Sequence, residues 1–307
     1  MTDAPSSPAR RDVVLVTGAS TGIGLALARL LAADGSFHVI LTAREASLPR
    51  LAAAGFHEGP HLWLRALDVS RDDQRRHVVA EAGRLLGGVD VLVNNAGVTF
   101  RSVLEHVNER EWLEQMRVNF RGPAELARLC LPRMRERRRG RILAISSVGG
   151  MMAMPTMALY SASKFALEGA FEALWYEVRP WNIRVSLVQP GFVRSDGFTH
   201  TRPTAQARQG ERAADDPYHA HYEHMAAFIA RWMARAPATP ESVARIILRV
   251  IRQRRPPLRV PASPDAHLFA WLRRWAPRGL YHALLYRLLP RVGEWGRSPD
   301  PPHTPPK

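Results

Sequence analysis

Cysteine is almost missing from this sequence: Cys130 is the only one in 307 residues. That excludes an internal disulfide framework and any metal centre built on clustered thiolates. Lysine is nearly as scarce, since Lys164 and Lys307 are the only two among 43 basic residues. A chain that uses arginine almost everywhere marks its one internal lysine as a position where a guanidinium does not serve. No run approaches the roughly 18 apolar residues of a membrane span, and residues 1–11 contain no signal-peptide-like apolar stretch. These absences set the expectation of a cytoplasmic protein. Acidic residues are scarce toward the C-terminal end: from Arg245 to Lys307, 13 basic residues face 3 acidic ones, so this stretch holds +10 of the net +15.

With 46% apolar residues the chain has ample material for a core. Short apolar runs recur at Val13–Val16, Phe37–Leu41, Leu62–Leu67, Val89–Val93, Ile142–Ile145 and Ile183–Val188, and a last one falls at Leu258–Val260. Helical patterns lie between them, at Gln74–Leu86, Glu109–Arg138 and Leu159–Val178. Continuous apolar strands alternating with helices predict an α/β fold, a parallel sheet covered on both faces. The arginine-rich stretch Arg133–Arg141 reads as the charged end of a helix rather than a nucleic-acid patch.

After the first run comes Thr17-Gly18-Ala19-Ser20-Thr21-Gly22-Ile23-Gly24. Glycines at 18, 22 and 24, on a turn from strand to helix, keep side chains away from a helix N-terminus, whose free N–H groups favour a pyrophosphate. Asn94-Asn95-Ala96-Gly97 after the fourth strand strengthens the dinucleotide reading. The second strand ends Leu41-Thr42-Ala43-Arg44, with no carboxylate for a ribose 2′-hydroxyl. Arg44 suits a 2′-phosphate instead, so NADP(H) is expected over NAD(H), with Glu45 as the alternative ribose ligand. Asp68, followed by Val69, is placed either for the adenine or as a helix cap.

Tyr160-Ser161-Ala162-Ser163-Lys164 sets Tyr160 and Lys164 on one helix face. An ammonium beside a phenol favours the phenolate and makes general acid–base chemistry feasible near neutral pH.

Taken together, these motifs resemble the short-chain dehydrogenase/reductase family in its single-domain form. The likeness includes Asn119 in Val118-Asn119-Phe120, Ser147 thirteen residues before Tyr160, and Pro190-Gly191 after the sixth strand. It covers roughly residues 12–261 and is nearest to the hydroxysteroid and retinol dehydrogenase branch. The resemblance implies a doubly wound Rossmann sheet and hydride transfer between a nicotinamide and an alcohol or carbonyl. It implies Tyr160 as acid or base, Lys164 lowering its pKa and holding the nicotinamide ribose, Ser147 bonding the substrate oxygen, and Asn119 holding a proton-relay water. Val193 and Ser195 would face the nicotinamide carboxamide. Substrate contacts are expected from Ser147, Gly149, Met152, Met154, Met157, Tyr160 and Phe192, since flexible thioethers suit a bulky apolar ligand. A 3-oxoacyl thioester reductase and a non-catalytic NADP-binding scaffold are the alternatives.

The expected organisation is a flexible segment 1–11, a catalytic domain 12–261 with a lid near 198–235, a helical extension 262–297 and a disordered tail 298–307. His200, His219, His221 and His224 in the lid lack the carboxylate or thiolate partners of a metal site, and no metal is expected. In the extension, Leu268, Trp271, Leu272 and Trp275, then Tyr281, Leu284, Leu285 and Leu288, form helical stripes. They are expected to dock on the body or on a second subunit of a homo-oligomer, dimer or tetramer, with peripheral membrane contact as the alternative and nucleic acid excluded.

Overall fold

A computed structural model of the chain describes residues 10–194 and 201–296. Ser195, His200 and the tail 298–307 lie outside the described residues. Seven strands form one parallel sheet: β1 (Asp12–Val16), β2 (Phe37–Ala43), β3 (Leu62–Ala66), β4 (Val91–Asn94), β6 (Gly140–Ile145), β7 (Ile183–Gln189) and β9 (Arg259–Pro261), in the order β3-β2-β1-β4-β6-β7-β9. The short pair β5 (Phe100–Arg101) and β8 (Arg202–Pro203) stands apart. Every residue of β2 is buried, as a strand covered on both faces requires.

One face is covered by α1 (Gly22–Asp34), with α2 (Leu48–Ala53) beside it and α9 (Pro240–Arg252) against it. Gly24, Ala26 and Ala28 keep α1 slim, and Gly35 ends it in the left-handed region at φ 69°. A capping box of Thr239 and Ser242 with Pro240 starts α9. The other face holds α3 (Asp72–Leu86), α5 (Gly122–Glu136) and α6 (Ala158–Val178).

The one long helix expected over 109–138 is instead two. α4 (Glu109–Met116) is joined to α5 by a π-turn over Arg117–Arg121. A π-turn carries one extra residue and rotates the chain locally. Here it turns Asn119 inward, where the amide bonds both backbone groups of Val98. Apolar periodicity does not reveal such a turn, because α4 and α5 each keep their own regular stripe.

The arginines of 133–141 serve structure. Arg137 pairs with the buried Asp90 at 3.3 Å, Arg138 bonds the Pro180 carbonyl and Arg139 pairs with Asp12. Arg10, from the segment expected to be flexible, also holds Asp90, at 2.9 Å.

Beyond the sheet, α7 (Ala205–Arg212) and α8 (His219–Arg235) form the described part of the segment 198–235, and α10 (Pro264–Trp275) and α11 (Arg278–Arg287) form the extension. The α10 stripe does not dock on the body of its own chain. Ala266, Phe269 and Ala270 of α10 dock against Val148 and Met151, whereas Leu268, Trp271 and Trp275 face outward at 54%, 59% and 65% exposure. The sequence stripe is the outer face because small residues are what let α10 lie close to the 148–151 turn.

Leu27 on α1 is fully buried in the cluster that includes Ile247 of α9. Leu27→Ala is expected to cost about 2–5 kcal/mol, read as a lower urea midpoint at unchanged m-value.

Candidate active site

The carboxyl ends of β1 and β4 lie side by side at the point where strand order reverses, and loops leaving such a point enclose a crevice. Thr17 ends β1. Its Oγ1 accepts from the backbone N–H groups of Asn95 and Ala96, each at 3.0 Å. Asn95 Nδ2 returns to the carbonyls of Thr17 and Gly18, both at 3.0 Å. The glycine turn is thus clamped to the Asn94–Gly97 loop, and its two outer glycines have no room for a side chain. A Cβ on Gly18 would lie 2.8 Å from Ala96 Cα, and one on Gly24 would lie 2.3 Å from the Gly18 carbonyl oxygen. Gly22 adopts φ 54°.

Thr21 stands at the N-cap of α1 without a side-chain cap bond, and the first turn has no acidic residue. Ser20, Thr21, Gly22 and Ile23 therefore surround a helix N-terminus that no carboxylate serves, as an anionic pyrophosphate needs. Arg44 is exposed at the end of β2, and the neighbouring Glu45 begins a short 3₁₀ turn. Asp68 Oδ1 accepts from Ser70 N at 2.9 Å and Ser70 Oγ at 2.6 Å, so this carboxylate also shapes its own turn. Val69 packs beneath Gly122, where a Cβ would come within 2.7 Å of its carbonyl oxygen, and the buried Arg75 donates to that oxygen at 2.6 Å.

Helix α6 brings the chemical groups together. Ser147 hydrogen-bonds Tyr160, and its Oγ accepts from Gly149 N at 3.0 Å, which fixes the hydroxyl at the end of β6. Gly149 lies against the Tyr160 ring: a Cβ there would sit 2.9 Å from Cε1. Lys164 Nζ is 5.7 Å from the centre of the same ring and donates to the Ile145 carbonyl at 2.8 Å. Burial pulls the Lys164 ammonium down to about 8, and the carboxylate of Glu168 works against that pull. Burial pushes the Tyr160 phenol up, opposed by its bond to Ser147. Burial thus keeps the phenol protonated through the neutral range.

Asn119 is buried, with Oδ1 bonded to Val98 N and Nδ2 to Val98 O, each at 2.9 Å, and Nδ2 also 3.1 Å from Ser163 Oγ. A Cβ on Gly97 would lie 3.4 Å from Asn119 Oδ1 and 4.0 Å from Lys164 Nζ, so Gly97, Asn119 and Lys164 border one space.

The loop after β7 carries Pro190, Gly191, Phe192 and the buried Val193. Ser263 Oγ accepts from Gly191 N at 2.9 Å, and Asp265 Oδ2 from Phe192 N at 2.8 Å. Phe192 and Met154 join Met225 and Ile229 of α8. Met152 is buried, and Met157 leads into α6. Between Met154 and Met157, Thr156 is held at φ 62°, a strained conformation for a β-branched residue, with its carbonyl accepting from Ser102 N at 2.7 Å. The described histidines of the segment 198–235 are engaged apart from one another: His219 Nδ1 with the Gly210 carbonyl, His221 against the Trp295 ring and His224 beside Glu294.

Sequence reasoning missed Thr17, Ser163 and Asp265. Ser163 lies inside the Tyr160-to-Lys164 motif, one helical turn from Tyr160, and it links Asn119 to the Tyr160 carbonyl, 2.7 Å from its Oγ. Ser263-Pro264-Asp265 reads as a helix start, yet its partners 72 and 73 residues away have no local signature.

The family model described as short chain dehydrogenase matches residues 12–206. The 3-ketodihydrosphingosine reductase of Bacteroides thetaiotaomicron is 35% identical over 268 residues, 86% of this chain and 93% of that protein. Retinol dehydrogenase 8 of Homo sapiens is 37% identical, covering 80% of this chain and 79% of its own. Among solved structures, a short-chain dehydrogenase from Streptomyces avermitilis superposes with TM-score 0.74 at 31% identity, over 92% of this chain and 96% of that one. A metagenomic short-chain oxidoreductase in complex with NADP gives 0.62 at 29% identity, over 81% and 96%. With its Rossmann sheet and this breadth of likeness, the chain belongs to the short-chain dehydrogenase/reductase family and is an oxidoreductase that works with NAD(P).

Proposed function

We propose that the enzyme reduces a ketone or aldehyde on a hydrophobic small molecule with NADPH, and oxidises the matching alcohol in reverse. The observation that carries this reading is the grouping of Ser147, Tyr160 and Lys164, with Asn119 bordering the same space. NADPH, when bound, supplies the hydride. Ser147 and Tyr160 hold the substrate oxygen, and Tyr160 gives its phenolic proton to that oxygen as negative charge develops there. Lys164 sits beneath the phenol and favours its return to the phenolate, while Asn119, fixed by Val98 and Ser163, holds the water through which the proton is replaced. Gly18, Gly22 and Gly24, with Ser20, Thr21 and Ile23, take the pyrophosphate; Asp68, Val69, Asn95, Ala96 and Gly97 line the adenosine side. Pro190, Gly191, Val193 and Ser195 take the nicotinamide side.

The methionine loop of Met152, Met154 and Met157, with Phe192 of the loop after β7, supports a bulky apolar substrate, as do relatives named for 3-ketodihydrosphingosine and retinol. Exposed Trp112 and Leu113 on α4 and Tyr176 on α6 support assembly with a second copy of the chain. The outer face of the extension supports contact with an anionic membrane surface. Leu268, Trp271, Trp275, Leu280, Leu284, Tyr286 and Leu288 are all exposed there, and Arg274 and Arg287 lie among them. No helix among the described residues is long and apolar enough to cross a membrane.

Replacement Tyr160→Phe is expected to abolish carbonyl reduction while NADPH still binds, followed by fluorescence titration; a turnover rate near wild type would refute Tyr160 as the acid. KM for NADPH should be at least about tenfold below that for NADH, and Arg44→Ala should erase the difference. A wild-type preference for NADH would defeat the assignment. Co-sedimentation with vesicles containing phosphatidylserine is expected at low salt and should be lost in the double variant Trp271→Ser/Trp275→Ser; wild-type protein left in the supernatant would overturn the membrane reading.

A further inference from the structure

Helix α6 does not end its chemistry at Lys164. One turn further on, Glu168 is also buried, at 5% exposure, so Tyr160, Lys164 and Glu168 follow one another at four-residue steps along one face. A carboxylate so far from water is costly unless each oxygen is bonded. Both are. Oε1 accepts from Gln189 Nε2, at the end of β7, at 3.0 Å, and Oε2 accepts from Arg259 Nε, at the start of β9, at 3.0 Å. Arg259 extends the row to the surface by donating to Glu172 Oε2 at 2.8 Å. Close packing leaves the carboxylate little freedom, since a Cβ on Gly150 would lie 3.0 Å from Glu168 Cγ.

We propose that Glu168 is a positioning residue for the reaction: clamped by Gln189 and Arg259, its fixed negative charge keeps the Lys164 ammonium charged beneath Tyr160. This rests on reading Tyr160 and Lys164 as the acid–base pair. Among the described residues, the elements around Lys164 offer no other anion. The end of β6 presents the Ile145 carbonyl and the π-turn presents Asn119, both neutral; β7 presents Gln189, also neutral; β9 adds the positive Arg259 behind Glu168. From α10, Arg273 reaches α6 over the Phe165 ring, and it too is positive. Without Glu168, Lys164 would be an ammonium in a buried site bonded to one carbonyl and supported by no opposite charge.

The scarcity of lysine makes the test direct. In protein labelled only at lysine Nζ with nitrogen-15, two signals are expected, from Lys164 and Lys307. In the wild type the Lys164 signal should titrate near 8, and in Glu168→Gln its midpoint should fall by about one unit, a tenfold change in the proton equilibrium. The glutamine keeps one oxygen to accept from Gln189 and removes the charge together with the bond accepted from Arg259. Glu172→Gln, which removes only the outer charge beside Arg259, should leave the midpoint in place. For a carbonyl that the enzyme turns over, the pH profile of kcat should shift in the same direction in Glu168→Gln and not in Glu172→Gln. A Lys164 midpoint unchanged in folded Glu168→Gln overturns the proposal. If that variant does not fold, a wild-type Lys164 midpoint below pH 7 overturns it equally. The lysine titration needs no turnover, so it stands or falls separately from the assigned reaction.

Discussion

The site depends on one clamp, the reciprocal hydrogen bonds between Thr17 and Asn95. Parallel pairing of β1 with β4 brings two loops to the same edge of the sheet, but adjacency alone does not set their distance. Thr17 Oγ1 accepts from two successive backbone N–H groups, and the Asn95 amide answers to two successive carbonyls. Such an arrangement satisfies buried polar groups that would otherwise cost about 1–3 kcal/mol each, and it permits only one spacing. That spacing brings Ala96 so close that residue 18 can only be glycine, and it leaves the α1 N-terminus open to an anion. The glycine motif is therefore half of a device whose other half is the Asn94–Gly97 loop.

A second constraint runs down α6. Burying a phenol and an ammonium together moves both away from their values in water, and in opposite directions. Tyr160 is held as an acid and Lys164 is brought close to losing its proton, so modest changes around them carry large weight. The surrounding residues hold geometry with neutral groups: the Ile145 carbonyl, the Asn119 amide and the Ser147 hydroxyl. Beyond the Lys164 ammonium itself, charge enters this row at Glu168, Arg259 and Glu172.

Much of the fold and of the site was legible from the chain alone, because both rest on local rules. Two-sided apolar runs mark parallel strands, a glycine turn between strand and helix marks an anion site, and a four-residue step puts Tyr160 over Lys164. What escaped depends on distant partners. The π-turn at Asn119 answers to Val98, twenty-one residues earlier, and a helical pattern continues across it. Glu168 looks like any surface glutamate on an amphipathic helix until β7 and β9 supply Gln189 and Arg259. The stripes of α10 misled for a related reason: large apolar residues signal burial only where a partner surface has room for them, and here the body accepts alanine and phenylalanine instead.

The extension nonetheless reaches the site by its polar groups. Ser263 and Asp265, at the start of α10, take the N–H groups of Gly191 and Phe192, so the loop expected to face the nicotinamide is held by the C-terminal segment. A Cβ on Gly191 would overlap the Asp265 carboxylate, which makes glycine obligatory at that point. Farther along α10, Arg273 bonds the Met151 carbonyl and lies over Phe165, the residue after Lys164. One helix thus touches the cofactor loop, the methionine loop and α6 on its inner side while presenting tryptophans outward. Any surface that binds the outer face of α10 acts on a helix already joined to three parts of the site. Arg273, distant in sequence from the chemistry, is in space a neighbour of it.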